Sequence, residues 1–124
     1  YEMLQRGGRT ESGESLVSTV AIQQMTARHR VGEFDQTLQH KVDFGLGVIC
    51  NSNRYGVETV PYGFGQYSSN SAFGHGGAQC SMGFCDPERQ LVVVWSANGF
   101  CGEGLHQRRN RMINNAICVD LGLT

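Results

Sequence analysis

Phe73-Gly74-His75-Gly76-Gly77-Ala78-Gln79-Cys80-Ser81-Met82-Gly83-Phe84-Cys85, closed by Asp86-Pro87-Glu88-Arg89 and followed by Leu91-Val92-Val93-Val94-Trp95, is the stretch whose reading decides the fold. Phe73 to Cys85 reads as one long strand. Asp86 to Arg89 makes a tight turn in which proline presets φ. Leu91 to Trp95 is apolar at every position, which predicts a strand buried on both faces. The two strands form an antiparallel hairpin. On the first of them His75, Gly77, Gln79, Ser81 and Gly83 point to one face. Ala78, Cys80, Met82 and Phe84 point to the other, an apolar face expected to pack on helices.

Downstream, the chain turns at Asn98-Gly99 and ends in a predicted helix from Leu105 to Leu121. Leu105, Met112, Ile113, Ala116 and Val119 fall on one arc at 3.6 residues per turn, the face expected to pack on the sheet. Arg109 lies inside that arc, where a long basic side chain snorkels at the edge of a packed face. Upstream, Phe44 to Cys50 reads as a strand, residues 51–56 as a turn and residues 57–70 as a loop containing glycine and tyrosine. Residues 28–43 are polar and aperiodic, so they read as a connection. Ser18 or Thr19 caps a short helix carrying Val20, Ile22 and Met25, and Met3-Leu4 ends a helix stopped at Gly7-Gly8. The fold class is α+β: a helical and connecting segment (1–43), then an antiparallel sheet segment with a packed C-terminal helix (44–124).

The chain has 124 residues, 40% of them hydrophobic, which suits one domain or a portion of one. Charged residues make up 17%, and ten basic against eleven acidic side chains leave a net charge of -1. That balance argues against a general electrostatic nucleic-acid binder and against a charge-driven disordered tail. The longest apolar run, Leu91–Trp95, is far short of the ~20 residues that span a bilayer. Of 17 glycines, twelve lie between Gly45 and Gly104, in the part that reads as strands. Glycine there marks a bulge, a bend or the close approach of a ligand to the backbone. Five cysteines, an odd number without Cys-x-x-Cys spacing, read as mostly buried thiols and lean towards a reducing, cytoplasmic compartment. No secretory signal is visible at Tyr1, and a chain that does not begin with Met reads as cut from something longer.

His75-Gly76-Gly77-Ala78 carries the chemical signal. An ionisable ring among glycines leaves main-chain N–H groups unshielded, the arrangement an oxyanion hole requires. The alternative is a histidine that merely hydrogen-bonds within a glycine-rich turn. Cys80 as nucleophile with His75 as base is rejected by strand alternation, which puts residues five apart on opposite faces. His29, His40, His75 and His106 lack ligand spacing, so no metal site is expected. The basic run His106 to Arg111 reads as a solvated helix face, with a basic interaction module as the weaker reading.

His75-Gly76-Gly77-Ala78, then Met82-Gly83-Phe84-Cys85-Asp86-Pro87-Glu88, the valine-rich strand, Ala97-Asn98 and a terminal helix resemble the C-terminal part of the serine β-lactamase-related family. The resemblance is closest to esterase-like members similar to class C β-lactamases and penicillin-binding proteins. It implies a partial β-lactamase-like fold, acyl transfer to serine, and hydrolysis of a small ester, amide or lactam without a cofactor. It also implies that His75-Gly76-Gly77 stands in place of a Lys-Thr-Gly motif, with the Ala78 N–H as an oxyanion donor. Gln79, His106 and Arg109 are the substrate-binding residues implied. Gln79-Cys80 departs from the Gly-Gly pair common at that place. The family's Ser-x-x-Lys nucleophile is absent, because Lys41, the only lysine, follows Leu38 by three positions. The upstream tyrosine element is absent too. The nucleophile is therefore expected in a missing N-terminal half. Family members are often periplasmic or secreted, against the cysteine argument. A non-catalytic ligand-binding member of the fold is the other reading.

Overall fold

The computed structural model describes residues 1–124. Its elements are α1 (Glu2–Gln5), α2 (Thr19–Thr26), β1 (Phe34–Asp35), β2 (His40–Lys41), β3 (Ile49–Cys50), β4 (Phe73–Gly77), β5 (Ser81–Asp86), β6 (Leu91–Ser96) and α3 (Glu103–Asp120). Strands β3-β4-β5-β6 form an antiparallel sheet, and β1 and β2 form a separate small hairpin. The molecule is α+β.

The expected β5–β6 hairpin is present, with Asp86 opposite Leu91 and Ser81 opposite Ser96. Phe73–Cys85 is not one strand. It folds back at Ala78-Gln79-Cys80, so that Gly77 pairs with Ser81 and His75 with Gly83. The turn carries no Gly, Pro or Asn, and Gln79 takes up the left-handed backbone at φ +56°. The alternation drawn across residues 75–80 fails there, and with it the argument that separated His75 from Cys80.

Phe44–Cys50 is likewise shorter as a strand than expected. Phe44 bridges Ile49, and Gly45-Leu46-Gly47 is a reversal closed by the Gly45 N–H donating to the Val48 carbonyl at 2.9 Å. The polar connection 28–43 contains the β1–β2 hairpin. Ser18 caps α2 as expected, accepting from the Ala21 N–H at 3.1 Å. Gly7 and Gly8, both at positive φ, end α1.

Each face of the sheet carries apolar packing. Met82, Phe84 and Val93 join Ile49, Val60 and Phe64 in the main core, with Ile117 of α3 against it. On the opposite face Phe73 and Cys85 pack with Val48, flanked by Tyr1, by Leu4 of α1 and by Met25 of α2. The odd-numbered face of β5 is therefore covered too. A Cβ added at Gly83 would sit 2.7 Å from the Tyr1 ring, so glycine there makes room for that aromatic lid. β6 is an edge strand. Val93 is buried but Val94 is 70% exposed, which corrects the expectation of burial on both faces.

The terminal helix departs furthest from its pattern. Leu105, Met112 and Val119, placed on the packing arc by periodicity, are 62%, 60% and 53% exposed. The buried stripe is His106, Asn110, Asn114 and Cys118, four residues apart and mostly polar. Asn110 and Asn114 donate from Nδ2 to the Gly63 carbonyl at 2.6 and 3.3 Å, and Asn114 also donates to Asn110 Oδ1 at 3.0 Å. Trp95 Nε1 donates to Asn114 Oδ1 at 3.2 Å. α3 docks through hydrogen bonds to a loop backbone and to Trp95 of β6.

This orientation sets the order of mutational costs. Asn110→Ala removes a buried donor from the Gly63 carbonyl and is expected to cost about 1–3 kcal/mol in chemical denaturation. Met112→Ala, on the exposed side of the same helix, is expected to stay within about 0.5 kcal/mol. The reverse order would mean that the apolar arc packs after all.

Candidate functional site

A cavity of about 380 Å³ opens at the β4 end of the sheet. His75, Gly76 and Ala78 form one wall, Leu38, Phe44, Ile49 and Tyr62 supply apolar surface, and Asp35 and Thr37 complete the lining. A second cavity of about 500 Å³ shares Thr37, Leu38 and Tyr62 with it and extends to His40, Glu103 and Gln107. The cleft thus runs between the β1–β2 hairpin and the start of α3.

Backbone geometry at the wall is chemically useful. Ala78 is exposed, and its N–H donates to no acceptor within the chain. His75 is also exposed, and its Nδ1 lies 2.7 Å from the Gly76 carbonyl. A carbonyl only accepts, so Nδ1 carries the proton and Nε2 of the neutral ring is left as a proton acceptor. The wall therefore offers one free amide donor and one imidazole nitrogen.

Tyr62 shapes the opposite side, and sequence reasoning missed it. It sits at φ +52°, a left-handed conformation that costs an aromatic residue about 1 kcal/mol or more. Two bonds from α3 hold it there. Its N–H donates to Gln107 Oε1 at 2.6 Å, and its hydroxyl donates to the Glu103 carboxylate at 3.2 Å. The ring lies flat against Gly76, where an added Cβ would come within 2.0 Å of Cδ1. Burial, reinforced by the Glu103 charge, raises the Tyr62 hydroxyl above its ordinary pKa. The only signal in the sequence is an aromatic residue between Pro61 and Gly63. Leu38, Phe44 and Ile49 were missed too, because only the tertiary fold brings them beside β4.

Asp35 is occupied elsewhere. It pairs with Arg30 and accepts from the Thr37 and Leu38 N–H groups at 2.9 and 2.8 Å. The Arg30 bond, followed by these amides, lowers its pKa, so it stays ionised and shapes the loop under the cavity. No Lys, Arg, Ser or Cys side chain lines the first cavity.

None of Gln79, His106 and Arg109 lines either cavity. The Gln79 carbonyl accepts from Arg109 Nη2 at 2.8 Å, and its Oε1 accepts from the Gly102 N–H at 3.0 Å. The Arg109 guanidinium lies 5.7 Å from the Trp95 ring centre and contacts His106 Nδ1 at 3.3 Å. His106 has no exposed surface and is flanked by the Tyr62 and Trp95 rings at 5.3 and 5.9 Å. Its Nε2 is buried without a partner. Burial first, and Arg109 second, hold its pKa below the ordinary 6.5, against a smaller opposing effect of Glu103. All five cysteines are free, and three are buried. Burial and the Asp86 charge push Cys85 up to about 11, which leaves it unreactive.

The α+β fold has a counterpart among solved structures. The chain is similar to EstA from Arthrobacter nitroguajacolicus Rue61a, an esterase, at 22% identity and a TM-score of 0.50. That likeness covers 86% of this chain and 27% of EstA, so the chain spans about a quarter of its structural neighbour. Neither a known protein-family description nor a curated protein matches the sequence.

Two measurements check this geometry. Gly76→Ala is expected to displace the Tyr62 ring and destabilise the protein by about 1–3 kcal/mol. In a Tyr62→Ala background the same change is expected to cost at least about 1 kcal/mol less, since the two sites are in contact. The second concerns pH. His106 has a lowered folded pKa, so its contribution is fully present above 6.5 and is lost as pH falls below that value. His106→Leu is expected to flatten the loss of melting temperature on acidification from 6.5 towards 3.8, where Asp43 and Asp35 begin to titrate in the unfolded chain. An unchanged slope would remove His106 as its source.

Proposed function

We propose that this chain is the C-terminal part of a serine hydrolase of the β-lactamase and esterase type, and that its substrate is a small ester, amide or lactam. The observation that carries the reading is the exposed, unpartnered Ala78 N–H beside His75 on the wall of a largely apolar cavity. The esterase neighbour supports a hydrolase-like fold, and His75, Gly76 and Ala78 of the motif line that wall.

In this reading a serine outside the chain attacks the substrate carbonyl carbon. The carbonyl oxygen takes up the negative charge and accepts from the Ala78 N–H, with the serine's own N–H as the second donor. Collapse breaks the bond to the leaving group, which departs with the proton given up by the serine, and the acyl-serine left behind is hydrolysed by water to the acid and free serine. In this reading the His75 ring, on the same wall, sets the protonation of the nucleophilic group. Gly76, which lines the cavity, adds no side chain to the approach of the carbonyl. The absence of Ser and Cys from the cavity lining favours one other reading, a non-catalytic binding protein of the same fold.

The test uses the full-length protein, an activated ester and an acylating phosphonate. Stoichiometric labelling of a serine outside residues 1–124 is expected, whereas the 124-residue chain alone stays unlabelled. Ala78→Pro removes the N–H and is expected to slow turnover about a hundred- to a thousandfold. His75→Ala is expected to slow acylation without lowering the melting temperature. Turnover unchanged in Ala78→Pro, or labelling of Ser81 or Ser69, would overturn the assignment. No labelling at all, with a retained ligand, would establish the binding reading.

A further inference from the structure

The tip of the β4–β5 hairpin is built in an unusual way for a segment that carries a candidate oxyanion donor. Gln79 follows Ala78 directly and stands in the left-handed region at φ +56°, where glycine or asparagine is the ordinary choice. Such a conformation persists only when its surroundings over-determine it. Here they do. The Gln79 carbonyl accepts from Arg109 Nη2 at 2.8 Å, and its side-chain Oε1 accepts from the Gly102 N–H at 3.0 Å. The Ala97 N–H donates to the Cys80 carbonyl at 2.7 Å. Ala78 itself has no backbone partner, so its direction is inherited from its neighbours.

We infer that Gln79 and Arg109 act as positioning residues, a buckle between the hairpin tip and α3 that fixes the direction of the Ala78 N–H. The inference deepens the serine hydrolase reading and rests on it for its catalytic consequence, though not for the buckle itself. The bond from Arg109 is charge-assisted, and its guanidinium is held from behind by Trp95 and His106. Arg109 Nε is buried without a partner, and Nη2 is committed to the Gln79 carbonyl and His106 Nδ1. A substrate-binding arginine would keep its donors open to the cavity. Here the guanidinium lines neither cavity, and the bond from Nη2 runs to the protein's own backbone. Gln79, whose polar side-chain oxygen is also internally bonded, reads the same way.

Three variants of the full-length protein test this: Arg109→Met, Arg109→Lys and Gln79→Gly. Amide hydrogen exchange is followed at Gln79, Ala97 and Gly102, with Phe84 and Val93, paired within the sheet, as internal controls. In Arg109→Met, exchange at Gln79 and Gly102 is expected to rise about tenfold or more with the controls unchanged. With neutral and carboxylate-bearing activated esters alike, kcat is expected to fall by up to about a hundredfold, with KM within about twofold. Arg109→Lys keeps a charged donor without the planar fork and is expected to recover part of kcat. Gln79→Gly keeps the carbonyl but cuts the tie to Gly102, and the double variant is expected to be no worse than its worse parent, because the residues act as one unit. Unchanged exchange at the tip would overturn the buckle. A rise in KM confined to the carboxylate-bearing ester, with kcat unchanged, would make Arg109 a substrate contact instead. If the wild-type protein neither turns over ester nor labels with phosphonate, the hydrolase reading falls while the exchange data still decide the buckle.

Discussion

The Gly63 carbonyl, taken by the Asn110 and Asn114 amides, is the interaction on which the rest of this structure depends. A helix normally meets a sheet through an apolar stripe, and here it meets a loop backbone through amides. Each buried amide needs a partner, so the polar stripe admits few registers and orientations. Once that register is set, Gln107 reaches the Tyr62 N–H, Glu103 reaches the Tyr62 hydroxyl, and Asn115 reaches the Gln66 N–H. On the other flank Arg109 meets the hairpin tip. One helix thereby places both the aromatic wall of the cavity and the turn that bears Ala78.

The remaining wall depends on a second polar anchor. Asp43 is fully buried, and burial alone would raise its pKa. The Gly32 N–H, the Tyr55 hydroxyl and the Arg54 and Arg28 guanidinium groups outweigh that effect and hold it below the ordinary 3.8. Arg28 continues to the Asn51 and Asn70 carbonyls at 2.9 and 2.7 Å. The carboxylate therefore ties together three loops far apart in sequence, between which the β1–β2 hairpin and Leu38 are suspended. Replacing one partner would leave an uncompensated charge, which is why such a cluster is rigid even where its net contribution to stability is small.

These two anchors explain which features were legible in the sequence. The β5–β6 hairpin, the Ser18 cap and the glycine stop after α1 are local: turn chemistry and capping geometry lie within a few residues of the element they define. His75, Gly76 and Ala78 of the motif line a cavity, a placement that needs the fold as well as the motif. The face of α3 was not legible, because a periodicity argument ranks positions by apolarity and this helix buries asparagines. Nor was the break at residues 78–80, because the bonds that hold Gln79 left-handed come from Gly102 and Arg109 across the fold. Tyr62 was hidden for the same reason. In each miss, a tertiary hydrogen bond overrides a local preference.

The placement of strain follows the same logic. Tyr62 and Gln79 are both non-glycine residues at positive φ, and both lie next to the wall that carries the Ala78 N–H. Gln107 and Glu103 hold Tyr62, and Arg109 and the Gly102 N–H hold Gln79, so α3 and the residue before it brace both strained residues. A donor that must meet a short-lived charge gains from being fixed beforehand, since reorganisation during reaction adds to the barrier. The glycines on β4 make this bracing sterically possible: without a Cβ at Gly76, Tyr62 can lie on the strand. The same absence of side chains leaves the adjoining amide open to a ligand. Close packing behind the strand and accessibility in front of it therefore have one cause, the glycine run beside His75.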